Sequence, residues 1–360
     1  MFFNFEFIFI VFLLLTISFY PVYTASLLST KNNIYYGNEM INIKGINWFG
    51  FETKCNVIHG LWANNIDFYF DFLKENNFNA LRVPISYEMA IDKNHKPQPE
   101  CINFKMNPEL KDLTSREILH YVFEKAKENN MFILLDMHTM KNEITPIAEL
   151  DYIGGWINIL PEFQNYVNLL GIDIKNEPHM PETWDHWMLY VKTTLFHLFK
   201  IGYEKLYFIE GIQTANPPSG WGNDFSNIED DNFMIDNNKI VFSPHVYGYS
   251  VRGETSITDG SNEFENWFGF LKEKSNNAIV ISEFGGFYKD LDMEWHKRLF
   301  EYLKKKKLTS SFYWCLNPNS IDTHGVLLED WKSYNNDKLT YLHELNPNPT
   351  KINFISRLRK

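Results

Sequence analysis

From residue 41 onward, short apolar runs that end in a polar or ionisable residue alternate with amphipathic stretches. The runs cover residues 41–48, 80–84, 132–138, 169–176, 206–210, 240–245, 278–283 and 310–314. Helical spacing of apolar positions fills several intervals, at 63–75, 115–128, 183–199, 264–274 and 293–305. Strands buried on both faces read as continuous apolar runs, and strands separated by helices pair in parallel. Eight such units close on themselves more naturally than they fill an open sheet, so the pattern predicts a single α/β domain of the (β/α)8 TIM-barrel type.

The ends of the runs carry the chemistry. Phe132-Ile133-Leu134-Leu135 leads into Asp136-Met137-His138, and the fourth run ends in Lys175-Asn176-Glu177-Pro178-His179. Ile240-Val241-Phe242 leads into Ser243-Pro244-His245-Val246-Tyr247, and Ala278-Ile279-Val280-Ile281 into Ser282-Glu283-Phe284-Gly285. Ionisable groups at the carboxyl ends of barrel strands gather on the one face where barrel enzymes do chemistry.

Hydrolysis of a glycosidic bond needs a proton for the leaving oxygen and an anion facing the developing positive charge, which paired carboxylates supply. Glu177 and Glu283, on the fourth and seventh runs, face each other across the expected barrel mouth. Glu177 is the candidate acid/base and Glu283 the candidate nucleophile. Arg82, in the second run, is the cation that can keep Glu283 ionised while the Glu283 charge raises the pKa of Glu177. Asn176 can hydrogen-bond a sugar 2-hydroxyl, and His138, His245 and Tyr247 can orient the carboxylates. The flat rings of Trp48, Trp221 and Trp314 stand at or near strand ends, where they can stack on pyranose faces.

The rest of the chain narrows the class. A net charge of −11 argues against nucleic acid and anionic membrane as partners, because both require basic patches. Residues 7–19 form an apolar core shorter than the ~20 residues of a bilayer span. With Val22 and Thr24 as small residues before a cleavage point, residues 1–24 read as a signal peptide and the chain as secreted, although Glu6 stands where a positive charge is expected. An uncleaved anchor is the alternative. Residues 32–345 read as one catalytic domain and 346–360 as a tail, with no linker and no solenoid repeat. Cys55 and Cys101 fall in predicted loops at one end of the barrel and can pair, leaving Cys315 as a buried thiol; three free thiols remain the alternative.

The ordered motifs resemble glycoside hydrolase family 5, particularly its bacterial-type endo-β-1,4-glucanases. Ile43-Lys44-Gly45-Ile46-Asn47-Trp48-Phe49-Gly50-Phe51-Glu52-Thr53 is similar to the opening strand and loop of that group. So are Leu81-Arg82-Val83-Pro84, Asn176-Glu177-Pro178-His179, Ser282-Glu283-Phe284-Gly285, and the stretch from Trp314 through Asn317-Pro318-Asn319-Ser320 to Asp322-Thr323. The resemblance implies a retaining β-glycosidase with Glu177 as acid/base and Glu283 as nucleophile. It places Arg82, His138, Asn176, His245, Tyr247 and Trp314 around the first subsite, with no metal or organic cofactor. A monomer acting on a β-linked polysaccharide or oligosaccharide is expected. Thr139-Met140-Lys141, Lys175 and His324 depart from the family's usual residues, at positions that bear on subsite preference.

Cellulose leads among substrates; β-mannan, xyloglucan, mixed-linkage glucan and glycolipid glycosides fit the same catalytic pair. Two readings from other classes stand beside it. Asp136, His138, His179 and His245 are ligand types for a metal-dependent barrel hydrolase. A sugar-binding barrel without activity is the other, and it leaves Glu177, Glu283 and Arg82 without a purpose.

Overall fold

The computed structural model of the chain describes residues 28–139, 146–178, 183–213, 220–228, 234, 237–253 and 260–354. The expected signal segment, His179 and the last six residues of the expected tail lie outside the described residues.

Eight parallel strands form the predicted barrel. They are β4 (Lys44–Asn47), β5 (Ala80–Ser86), β6 (Phe132–Thr139), β7 (Leu169–Asp173), β8 (Leu206–Ile209), β9 (Ile240–Phe242), β11 (Ala278–Ile279) and β13 (Ser311–Tyr313), hydrogen-bonded in chain order with β13 returning to β4. A parallel bridge between Ile281 and Ser311 joins β11 to β13 and closes the ring. Above β9 and β11 the chain continues as β10 (His245–Tyr247) and β12 (Glu283–Gly285), which pair in parallel with His245 opposite Glu283.

A short antiparallel meander that the sequence pattern did not reveal, β1 (Leu28–Thr30), β2 (Ile34–Tyr36) and β3 (Glu39–Ile41), precedes the barrel. Tyr36 packs edge-on against Phe132, which also meets Phe354. These rings and Ile352 join the cluster that fills the barrel interior. One end of the barrel is thereby sealed with apolar side chains, and ionisable groups are left to the other.

The helices follow their predicted spans closely. α1 (Ile66–Glu75) starts at Asn65, whose side chain accepts from the Phe68 amide, and α2 (Ser115–Glu128) starts at a Thr114/Glu117 capping box. α4 (Trp184–Lys200) and α5 (Asp290–Lys306) match the other long patterns. The expected helix at 264–274 is instead two short helices, Gly260–Phe264 and Leu271–Lys274, around a π turn at Glu265–Gly269. The stretch after β6, outside the helical intervals expected from the sequence, contains α3 (Pro146–Phe163). Its Gly154-Gly155 pair and interior Pro161 hide the helical period from a sequence reading.

Along each barrel strand every second side chain points inward. Apolar inward residues such as Ala80, Leu134, Phe208, Val241 and Phe312 fill the lower interior. One step further toward the carboxyl ends the same alternation delivers Asn47, Arg82, Asp136, Asp173, Glu210 and Ser243, all buried. Gly45 takes an inward position on β4 because a Cβ there would fall 2.2 Å from the Phe312 ring. The larger outer cluster packs the helices on the barrel.

Candidate active site

Arg82 organises the polar layer. Its side chain is fully buried and donates Nε and Nη2 to Asp173 Oδ2 at 3.2 and 3.0 Å, Nη2 to Asn176 Oδ1 at 3.0 Å and Nη1 to Asn47 Oδ1 at 3.1 Å. Nη2 also lies 3.1 Å from Asp136 Oδ2, and Nη1 contacts Glu283 Oε1 directly. Burial opposes its charge, but Asp136, Glu283, Asp173 and Glu210 hold it firmly protonated. A guanidinium is the suitable cation here because its planar fork serves several carboxylates at once.

Glu283, at the start of β12, is fixed from two sides. Arg82 takes Oε1, and the Tyr247 hydroxyl donates to Oε2 at 2.5 Å. Burial raises its pKa, while Arg82, His138 and Tyr247 pull it back toward the ionised form. Glu177 follows β7 with a left-handed backbone (φ 47°) and is half-buried. Burial and then the charge of Glu283 push its carboxyl up to about 8. His245 links the two, with Nδ1 3.1 Å from Glu177 Oε1 and 3.5 Å from Glu283 Oε2. Oxygens of Glu177 and Glu283 come within 4.8 Å of each other. Burial thus raises both carboxyls; the charge of Glu283 pushes Glu177 further up, whereas Arg82, His138 and Tyr247 act on Glu283 in the opposite sense.

His138 is set by Asp136, whose Oδ2 lies 2.7 Å from Nδ1. Burial works against an imidazolium, but Asp136, with help from Glu283 and Glu52, raises the His138 pKa to about 9. The His138 ring lies parallel to Trp314, and Trp314 parallel to Phe49, with centroids 5.6 and 5.5 Å apart. Trp314 is half-buried and donates Nε1 to Ser320 Oγ at 3.2 Å, which fixes the ring at the cleft. Asn176 uses its carbonyl oxygen on Arg82, so its amide hydrogens are what it can offer a sugar hydroxyl. Trp221 is half-buried and meets Tyr247 edge-on at 5.7 Å.

One expectation is overturned. Trp48 is no sugar platform: it is fully buried against Tyr69 and Phe70, and its Nε1 donates to the His59 carbonyl at 2.9 Å. It follows the inward-facing Asn47, so strand alternation turns its ring outward into the packing against α1. The other residues singled out from sequence, Arg82, His138, Asn176, Glu177, His245, Tyr247, Glu283, Trp221 and Trp314, meet at one mouth of the barrel. Sequence reading missed Asp173 and Glu210 as site residues. The signal was there in Leu206, Phe208 and Glu210, an apolar inward alternation that ends on an acid.

Asp173, Glu210 and His245 also bring ligand-type atoms within 4.8 Å of one another. The Arg82 guanidinium sits among the same carboxylates, however, 3.0 Å from Asp173 and 3.7 Å from Glu210, and already supplies the positive charge that would draw a metal there. At the outer rim, Cys55 and Cys101 are bridged (S–S 2.03 Å), tying the loop after β4 to the loop after β5, and Cys315 is a buried free thiol.

The sequence profile described as Cellulase (glycosyl hydrolase family 5) matches residues 36–320. The major extracellular endoglucanase of Xanthomonas campestris pv. campestris is 30% identical over 355 residues, covering 90% of this chain and 72% of the relative. An endoglucanase of Paenibacillus polymyxa is 28% identical over 336 residues, 84% of each chain. Among solved structures, an alanine variant of the Pyrococcus horikoshii endocellulase in complex with cellotetraose superimposes with a TM-score of 0.81 at 29% identity, covering 88% of this chain and 98% of that one. The catalytic domain of the Xanthomonas endoglucanase gives 0.80 at 29% identity, over 90% and 99%. With the barrel, the profile and these relatives in agreement, the chain belongs to glycosyl hydrolase family 5 and is a glycoside hydrolase of the cellulase type.

Proposed function

We propose that the protein is a secreted endo-β-1,4-glucanase that cleaves its polymer by double displacement. The observation that carries the mechanism is the spacing of the carboxyls: oxygens of Glu177 and Glu283 lie within 4.8 Å, and retaining glycosidases hold their pair about 5 Å apart, too close for a water between acid and base. In the first step Glu283, ionised beside Arg82 and Tyr247, attacks the anomeric carbon while Glu177 donates its proton to the leaving oxygen. In the second, Glu177, now a carboxylate, takes a proton from water, and the water displaces Glu283. Asn176 binds the 2-hydroxyl where charge develops, and Trp314 stacks on the sugar in the first subsite.

Cellulose as substrate is supported by the cellotetraose found in complex with the Pyrococcus horikoshii variant and by the endoglucanase relatives. Secretion is supported by the extracellular Xanthomonas relative, by the Cys55–Cys101 bridge, which belongs to oxidising compartments, and by the signal-like residues 1–24. No helix among the described residues is long and apolar enough to cross a membrane.

The test is hydrolysis of carboxymethyl-cellulose, β-mannan and xylan, followed by viscosity, with the anomer released from a cello-oligosaccharide read by proton NMR. Rapid viscosity loss on the cellulose derivative and initial release of the β-anomer are expected. An initial α-anomer would overturn double displacement, and cleavage of only another polymer would overturn the substrate.

A further inference from the structure

Glu210 is a buried carboxyl one step past the end of β8 that the double-displacement scheme leaves without a task. Its side chain reaches two groups that the scheme does use. Oε2 accepts the backbone N–H of Glu177 at 2.9 Å. Oε1 lies 3.1 Å from His245 Nε2, and among the described residues both of these buried atoms otherwise lack a hydrogen-bond partner. A hydrogen shared between them satisfies both.

Two features show that this placement is built. Glu177 has the left-handed backbone that residues with a Cβ rarely adopt, and its amide is held there by Glu210 Oε2. Gly222 makes room for the carboxyl: its φ is 66°, and a Cβ on it would fall 2.2 Å from Glu210 Oε2. The main chain of Glu210 is itself anchored by Trp187, whose Nε1 donates to its carbonyl at 2.9 Å.

We propose that Glu210 is the positioning residue of the acid/base. With one carboxyl oxygen it fixes the Glu177 backbone, and with the other, as a neutral acid, it donates to His245 Nε2. His245 must then carry its own hydrogen on Nδ1, directed at Glu177 Oε1 3.1 Å away. That tautomer reserves Oε1 as an acceptor and leaves the acid proton of Glu177 on Oε2, for the leaving oxygen. The groups facing Glu210 are Arg82 from β5, Asp173 from β7, His245 from β10 and the Glu177 amide. Burial and then the Asp173 charge drive the Glu210 carboxyl well above its usual range against the opposing Arg82, and burial with Arg82 and His138 keeps His245 neutral.

The inference rests on Glu177 being the acid/base, so the experiment tests both and separates them. kcat/KM is measured for 4-nitrophenyl and 2,4-dinitrophenyl β-cellobioside, the second of which leaves without protonation. Glu177→Gln must lose activity mainly on the nitrophenyl substrate; equal losses on both would remove Glu177 from the acid role and take the inference with it. With that established, Glu210→Ala is expected to lose about 10²-fold on the nitrophenyl substrate, at the low end for a general acid, and far less on the dinitrophenyl one. Glu210→Gln keeps an acceptor for the Glu177 amide and a donor for His245 Nε2, and recovers most of that loss with the alkaline limb of the pH profile in place. Equal losses of Glu210→Ala on both substrates would reduce Glu210 to a structural group. A Glu210→Gln as impaired as Glu210→Ala would show that a charged carboxylate is needed. Where Glu210→Ala does not fold, Glu210→Gln alone decides, through its rate and pH profile against wild type.

Discussion

The Tyr247 hydroxyl donates to Glu283 Oε2 at 2.5 Å, while Arg82 occupies Oε1 of the same carboxylate. Glu283 is thereby oriented, and both contacts favour its ionised form against the burial that raises its pKa. Glu283→Gly is expected to abolish turnover of cello-oligosaccharides, and added azide to restore an α-glycosyl azide, the inverted product of direct displacement. The azide product is identified by NMR. If inverted product came instead from Glu177→Gly, the two roles would be exchanged.

Arg82→Ala leaves Asp136, Asp173 and Glu283 buried without their common cation. Removing one partner of a buried ion pair costs about 3–5 kcal/mol. The variant should therefore unfold at a clearly lower temperature by calorimetry and lose activity by orders of magnitude. A variant with an unchanged unfolding midpoint would contradict the central place given to Arg82.

The pH dependence follows from Glu177. Its carboxyl is pushed up to about 8, by burial and then by Glu283. A general acid works only while protonated, so activity requiring it is present below that pH and is lost as pH rises through it. kcat/KM on a substrate that needs leaving-group protonation should fall on the alkaline side near pH 8. Glu283→Gln removes the negative neighbour and should move the Glu177 titration down, which carbon-13 NMR of labelled glutamate can read. An upward move would refute the coupling.

The tryptophans separate by burial. Trp48→Ala removes a fully enclosed ring and should cost about 3–5 kcal/mol of stability. Trp314→Ala should change the unfolding midpoint less and raise KM for cellotetraose or lower kcat, since its half-buried ring faces the cleft. Denaturant titrations beside steady-state kinetics distinguish the two, and a KM effect confined to Trp48→Ala would reverse the assignment.

The Cys55–Cys101 bridge closes a loop with a sequence separation of 46. In the chain-entropy account this contributes roughly 4 kcal/mol by restricting the unfolded chain. Cys101→Ser, or reduction of the native protein, should lower the thermal midpoint. Unchanged midpoints with both thiols alkylated would show that the loop is held by packing alone.

What the sequence determined by itself is the barrel and the identity of its reactive face. Apolar runs that alternate with amphipathic helical stretches favour a parallel pairing covered by helices, and four of the runs lead into ionisable residues at their carboxyl ends. Glu177, Glu283, Arg82, His138, His245 and Tyr247 were legible for that reason. The tertiary structure decided which side of a strand each residue takes. Trp48 and Asn47 are neighbours in the chain, yet alternation sends Asn47 to Arg82 and Trp48 into the helix packing. The alternation of Leu206, Phe208 and Glu210 marks an inward acid, but only ring closure brings Glu210 and Asp173, with Asp136, around one guanidinium. The meander β1–β3 and the packing of Ile352 and Phe354 were equally hidden, because short strands and tail residues gain stability from a barrel end that exists only after the fold has formed.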